Sequence, residues 1–227
     1  MRITWLGQAG LLFDSGSAKV MIDPYLSDSV GKKDAQKHRR VPVDTRFLAC
    51  EPDVLLFTHD HLDHYDPETV SHLLGEGRKA KTVLCPSSVW HKVREYGGAH
   101  NYVLLDRGSE WTEHGFCFRA FMAAHSDPYA IGVILEAIDE GKVFYITGDT
   151  LYHRELLSAL PDNIDTVFLP VNGVGNNMNA TDAVRFFRAV RAKHAVPYHI
   201  GMFDGLTHEV FQEKNKIVFE LYKEKEI

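Results

Sequence analysis

The sequence predicts a mixed α/β (α+β) fold in four layers, an αββα sandwich of two β-sheets packed face to face with helices outside each. Short apolar runs broken by glycine, proline and polar turns recur along the chain, too short for helices and well suited to strands. Each half gives strands first and then alternates strand with helix, so the pattern occurs twice. No Pro/Gly/Ser-rich tract parts the halves, and residues 1–227 read as a single domain.

In order, residues 3–6, 11–14 and 19–22 are apolar runs split by Gly7, Gly10 and Gly16, an opening set of antiparallel strands that ends at Asp23-Pro24. From 24 to 50 the hydrophobic pattern disappears, and Lys32, Lys33, Lys37, Arg39, Arg40 and Arg46 outnumber Asp28, Asp34 and Asp44. This basic insertion reads either as a solvated excursion or as a lid that holds an anionic substrate, with Lys33, Arg39 and Arg40 as its candidate contacts. Residues 54–57 are continuously apolar, a buried strand. Asp66-Pro67 then caps a helix that places Val70, Leu73 and Leu74 on one face.

A strand at 82–85 leads to a helix with Ser87 as its N-cap and Gly97-Gly98 as its stop. Strands follow at 102–105, 116–122, 131–138 and 143–147. A helix over 151–160 ends at Pro161, and a strand over 166–169 precedes a helix over 180–193. In that helix Asn179 and Asp182 form a capping-box-like start, and Ala183, Phe186, Phe187 and Val190 form the apolar stripe. A short strand at 195–198 and a helix from about His208 complete the chain.

Composition excludes several classes. The net charge of −6 argues against a chain that lives on nucleic acid, where a basic face is expected. No stretch approaches the ~20 apolar residues of a membrane span, and the polar opening Met1-Arg2-Ile3-Thr4 is no secretory signal. Cys50, Cys85 and Cys117 are widely spaced and odd in number, which reads as reduced thiols in a cytoplasmic protein.

The chemistry concentrates at Thr58-His59-Asp60-His61-Leu62-Asp63-His64, where three imidazoles and two carboxylates fall within six consecutive residues after a strand. Groups packed that closely compete for space and charge unless a cation lies between them, and neutral imidazole and carboxylate are the usual donors for a divalent metal. Single residues of the same types also stand after other strands: His125 in Ala123-Ala124-His125-Ser126-Asp127, Asp149 in Thr147-Gly148-Asp149, and His199 in Pro197-Tyr198-His199. Asp60, between two such positions, either orients an imidazole or faces water. Tyr65, Tyr129, Tyr152 and His153 flank the same positions.

His59, His61, Asp63 and His64 resemble the HxHxDH signature of the metallo-β-lactamase superfamily, and the later markers come in that superfamily's order. The resemblance implies a metallo-β-lactamase-like sandwich with two divalent ions. His59, His61 and His125 would hold one, Asp63, His64 and His199 the other, and Asp149 would bridge them. Within the superfamily the chain is most similar to the L-ascorbate-6-phosphate lactonases, through Trp5-Leu6-Gly7, the 58–64 cluster, Gly148-Asp149 with Tyr152, residues 173–179 and Val196-Pro197-Tyr198-His199. It implies a hydrolase that directs a metal-bound hydroxide at a small anionic lactone or ester. Asp63 and Asp149 would orient the nucleophile, and Asn176, Asn177 and Tyr152 would join the basic segment in holding the substrate. Zinc or manganese is expected, with iron also compatible, and a homo-oligomer is allowed. The alternatives on the same fold are a phosphodiesterase or RNA-processing nuclease, iron-dependent oxygen chemistry, and a non-catalytic binding module.

Overall fold

A computed structural model describes residues 1–227. The chain opens with β1 (Arg2–Gly7), β2 (Gly10–Asp14) and β3 (Lys19–Ile22) and passes through α1 (Ser29–Lys33) to β4 (Val54–Leu56). It continues with α2 (Pro67–Leu74), β5 (Thr82–Cys85), α3 (Ser87–Val93) and β6 (Asn101–Leu104). The second half runs β7 (Glu110–Glu113), β8 (Phe116–Met122), β9 (Ile131–Ala137), β10 (Lys142–Ile146) and β11 (Thr166–Pro170), then α4 (Ala180–Val190), β12 (His194–Tyr198) and β13 (Glu224–Glu226). A seven-stranded sheet has the order β13-β1-β2-β3-β4-β5-β6, and a six-stranded sheet the order β12-β11-β10-β9-β8-β7. No helix is long and apolar enough to cross a membrane.

The apolar runs are continuous because both faces of the first sheet are buried. Leu11, Phe13, Val20 and Ile22 point inward to the core shared with the second sheet, while Leu12, Met21, Leu55 and Phe57 pack outward with Val70, Leu73 and Val89 of α2 and α3. On the far side of the second sheet, Ala183, Phe186, Phe187 and Val190 of α4 close the fourth layer. Asn179 caps α4 as its sequence predicts, accepting from the Asp182 N–H, and Asp66 caps α2 by accepting from Glu68 and Thr69.

Several local expectations fail, each to a competing interaction. The helix over 151–160 is only a 3-10 turn at Arg154–Leu156. The backbone before it is held extended, because Leu151 N–H donates to Ala124 O and Met178 N–H to Thr150 O. The C-terminal helix is also absent beyond a 3-10 turn at His208–Val210. Instead the segment runs across the edges of both sheets: Lys216 bridges Ala195 of β12, Leu221 bridges Trp5, and β13 pairs antiparallel with β1. Unpaired edge strands carry free N–H and C=O groups, and satisfying them outweighs the helical periodicity. Ser87 is the first helical residue of α3 rather than its cap, and its hydroxyl donates to Asp106. Strand β7 carries no strong apolar signal and went unread in the sequence.

The topology brings distant residues to one rim. Strands β3, β4 and β5 are parallel, as are β10, β11 and β12, and β8 is antiparallel to β9, which is itself antiparallel to β10. The carboxyl ends of β3, β4, β8, β10 and β12 lead to Asp23, the 58–64 loop, His125, Asp149 and His199. Open sheets place ligands at such ends.

The two sheets lock through aromatic contacts. Phe168 of β11 is fully buried, with its ring 5.8 Å from Phe13 of the facing sheet and 6.4 Å from Tyr198. Phe168→Ala is expected to destabilise the fold by about 3–5 kcal/mol, the usual cost of an emptied aromatic site, read from the midpoint of urea unfolding.

Candidate metal centre

The loop after β4 is held from behind by one carboxylate. Asp23, fully buried, accepts from Thr58 N–H at 2.8 Å and from Thr58 Oγ1 at 2.5 Å, and its Oδ2 lies 2.8 Å from His64 Nδ1. Thr58 Oγ1 also lies 3.0 Å from His59 Nδ1. With their Nδ1 atoms engaged, His59 and His64 turn Nε2 toward the rim, the arrangement that fixes tautomer and ring angle in metal-ligating histidines. On the opposite sheet Gly148 has φ +61 and its position would bring a Cβ to 2.8 Å from Ile131 O, so only glycine makes the turn that presents Asp149.

Six of the seven residues named from the sequence converge in two groups, and the seventh, Asp149, reaches into the second. His59, His61 and His125 form one, and Asp63, His64 and His199 the other, each with ligand atoms within 4.8 Å of one another. In the first, His61 Nδ1 is 3.1 Å from His125 Nε2, whose Nδ1 faces Asn176 O at 3.2 Å. In the second, His64 Nε2 is 3.1 Å from His199 Nε2, and Asp63 Oδ2 is 3.5 Å from the same His199 atom. Asp149 Oδ1 approaches His64 and His199 Nε2 at 3.3 and 3.1 Å. Asp23 also lies within reach of His59 and His64, but it meets His64 on the Nδ1 side and orients the ring rather than joining the donors.

The donor set fits divalent cations. His59 Nε2 is buried without a hydrogen-bond partner, a costly state unless something else satisfies it. The donors are nitrogen and oxygen only, which suits zinc, manganese or iron. Charge points the same way. Burial alone would lower His64, but the carboxylates of Asp149, Asp23 and Asp63 outweigh it and hold that imidazole well above its ordinary range; Asp149 and Asp63 raise His199 likewise against its burial. Asp149, which burial would raise, is driven well below the carboxylate range by His199 and His64. On the other side, burial lowers His59 strongly and His125 as well. The carboxylates thus favour positive charge on the Asp63/His64/His199 side, where a cation would supply it.

The centre opens into a cavity of about 390 Å³ lined in part by His61, Asp63, His125, Asp149 and His199. Asn176 and Asn177 line it too, but Asn177 is buried and its Nδ2 donates to Asp149 Oδ2 at 2.9 Å, so it orients that carboxylate. The other substrate contacts expected from the sequence fall elsewhere. Arg39 folds inward, donating to Tyr25 O and Val41 O and to the Tyr222 hydroxyl. Lys33 and Arg40 are exposed and outside the lining. Tyr152 packs edge-on to Phe186, with ring centroids 6.0 Å apart. Of the basic segment, Val30 and Lys37 reach the cavity. Asp60 pairs with Lys92 at 2.6 Å and so faces outward.

Sequence reading missed Asp23, taken only as a strand end, although a carboxylate closing a buried strand is itself a signal. It also missed Asn172, whose amide nitrogen lies 2.8 Å from His199 Nδ1, and Gln8, which donates to Asp63 Oδ2 at 2.8 Å. Nothing in their local sequence marks these two.

The sequence profile of the β-lactamase superfamily domain matches residues 18–200. Over 222 residues the chain is 26% identical to a UPF0173 protein of Pyrococcus furiosus, covering 94% of this chain and 90% of that one. It is equally identical to a UPF0173 metal-dependent hydrolase of Oenococcus oeni, with 91% and 88% covered. The fold is similar to that of a protein from Veillonella parvula described as a possible metal-dependent hydrolase, at TM-score 0.80 and 17% identity, with 99% and 98% of the two chains covered.

A metal ligand must be neutral imidazole, so any proton that the surrounding carboxylates favour on His64 or His199 would have to leave when a cation binds there. Adding zinc to metal-free protein near pH 7 is expected to release protons, and affinity to rise with pH until these imidazoles are neutral. Release can be read with an indicator dye in weakly buffered solution; binding without it would contradict the charge assignment.

Proposed function

The chain belongs to the β-lactamase superfamily, and on that footing we propose that it is a metal-dependent hydrolase of a small anionic lactone or ester. The observation that carries this reading is the pair of adjoining donor groups, with Asp149 reaching into the second, at the floor of an open cavity. The similar UPF0173 protein of Oenococcus oeni, named a metal-dependent hydrolase, supports the reaction class. The lactone is our choice from the lactonase-like motifs at 5–7, 58–64, 148–149 and 173–179.

His59, His61 and His125 would hold one ion and Asp63, His64 and His199 the other, with Asp149 shared; zinc or manganese fits both. Bound there, such ions supply Lewis acidity, drawing the pKa of water toward neutrality and polarising a carbonyl. The protein's own groups supply the rest. Asp63 is 19% exposed and borders the cavity, whereas Asp149 is held beneath by Asn177. Asp63 is therefore the carboxylate placed to accept a proton from the attacking water and return it to the leaving alkoxide. Lys37, carried by the 3-10 turn Ala35–Lys37, is the basic side chain on the cavity wall and takes the role expected of Lys33, Arg39 and Arg40.

Elemental analysis of protein purified without added metal, with turnover measured on lactones, carboxylic esters and a nitrophenyl phosphodiester, tests the reading. Metal-dependent lactone or ester hydrolysis is expected; preference for the phosphodiester would overturn the substrate class. Asp63→Asn should lower kcat by about 10²–10⁴, the span of general-base effects. Lys37→Met should raise KM for anionic substrates by about three- to fivefold, the scale of an exposed charge, and leave neutral ones unchanged.

A further inference from the structure

The structure assigns Gln8 as the residue that positions the Asp63/His199 half of the centre, and so governs retention of the second ion; the inference rests on the two-ion reading above. Gln8 is 2% exposed and occupies the two-residue turn between β1 and β2 with φ +49. That is left-handed backbone, where such turns favour glycine or asparagine. A glutamine kept there against local preference points to a task elsewhere.

Its bonds identify the task. The side-chain amide donates to Asp63 Oδ2 at 2.8 Å, and the backbone carbonyl accepts from Trp5 Nε1 at 2.9 Å and from His199 N–H at 3.0 Å. His199 is itself left-handed, with φ +62. Two residues in disfavoured backbone thus face each other across the sheets and are joined by a hydrogen bond. Both centre residues that Gln8 touches belong to the second donor group, and it bonds none of His59, His61 and His125.

The amide is also the right chemistry. A lysine or arginine donor would neutralise the Asp63 carboxylate and compete with a cation for it, and a glutamate would repel it. A neutral N–H fixes the carboxylate while leaving its full charge to the metal.

Two variants separate this role from turn closure. Gln8→Gly removes the side chain, keeps the carbonyl bonds and suits the left-handed turn, while Gln8→Met keeps the length without a donor. Metal-free proteins are titrated with Co²⁺ by visible absorbance and with Zn²⁺ against a chromophoric chelator, alongside thermal melting. Wild type is expected to bind two ions. Both variants should hold the first within twofold and bind the second about 10–100-fold more weakly, the range for residues that orient ligands, with Gln8→Gly melting no lower than wild type. Retention of the second ion within twofold in both variants overturns the inference, as does equal weakening of both ions with a lowered melting point. A wild type that takes up a single ion overturns instead the two-ion reading beneath it.

Discussion

Everything at the rim depends on a carboxylate that has been taken entirely out of water. Asp23 is stable there because both of its oxygens are engaged by Thr58 and His64; a buried charge without such partners is prohibitively costly. The requirement acts in both directions. It fixes the start of the 58–64 loop to the end of β3, and it sets two imidazole rings so that their free nitrogens face the opposite sheet. That sheet answers with Asp149 and His199, whose own angles are set by Asn177 and by backbone turns. The donors are therefore held by hydrogen bonds from behind, and the two sheets meet at the metal site as well as in the hydrophobic core.

The parts of this arrangement that sequence alone revealed are those encoded locally. The density of His and Asp at 59–64 is visible without any fold, and the superfamily resemblance, whose later markers follow strands in order, pointed to His125, Asp149 and His199. Alternation and capping likewise gave the sheets, α2 and α4. What escaped was decided by partners far along the chain. The 151–160 run has helical periodicity, but Ala124 and Met178 claim the backbone beside it. The segment after His208 is amphipathic enough for a helix and is drawn out by the open edges of β12 and β1. Asp23 and Gln8 are single residues whose importance lies in what folds against them.

The 24–50 segment shows how composition can mislead about function. Its excess of lysine and arginine suggests an anion-binding lid, yet at least half of those six side chains are engaged within the protein. Lys32 pairs with Glu68, Arg46 with Asp44, and Arg39 ties Tyr25 to Tyr222. Exposed pairs of this kind contribute little to stability, but they set where the segment runs. Its contribution to the cavity narrows to Val30 and Lys37.

The pairing of β13 with β1 gives the protein a particular history during synthesis. The first strand emerges from the ribosome long before the last, and the His/Asp loop emerges well ahead of His199. Neither the sheet edge nor the second donor group can be completed until nearly the whole chain is out. Contacts this distant in sequence slow folding, because a long loop must close before any gain is realised. The His/Asp loop is therefore made well before the donors that complete it.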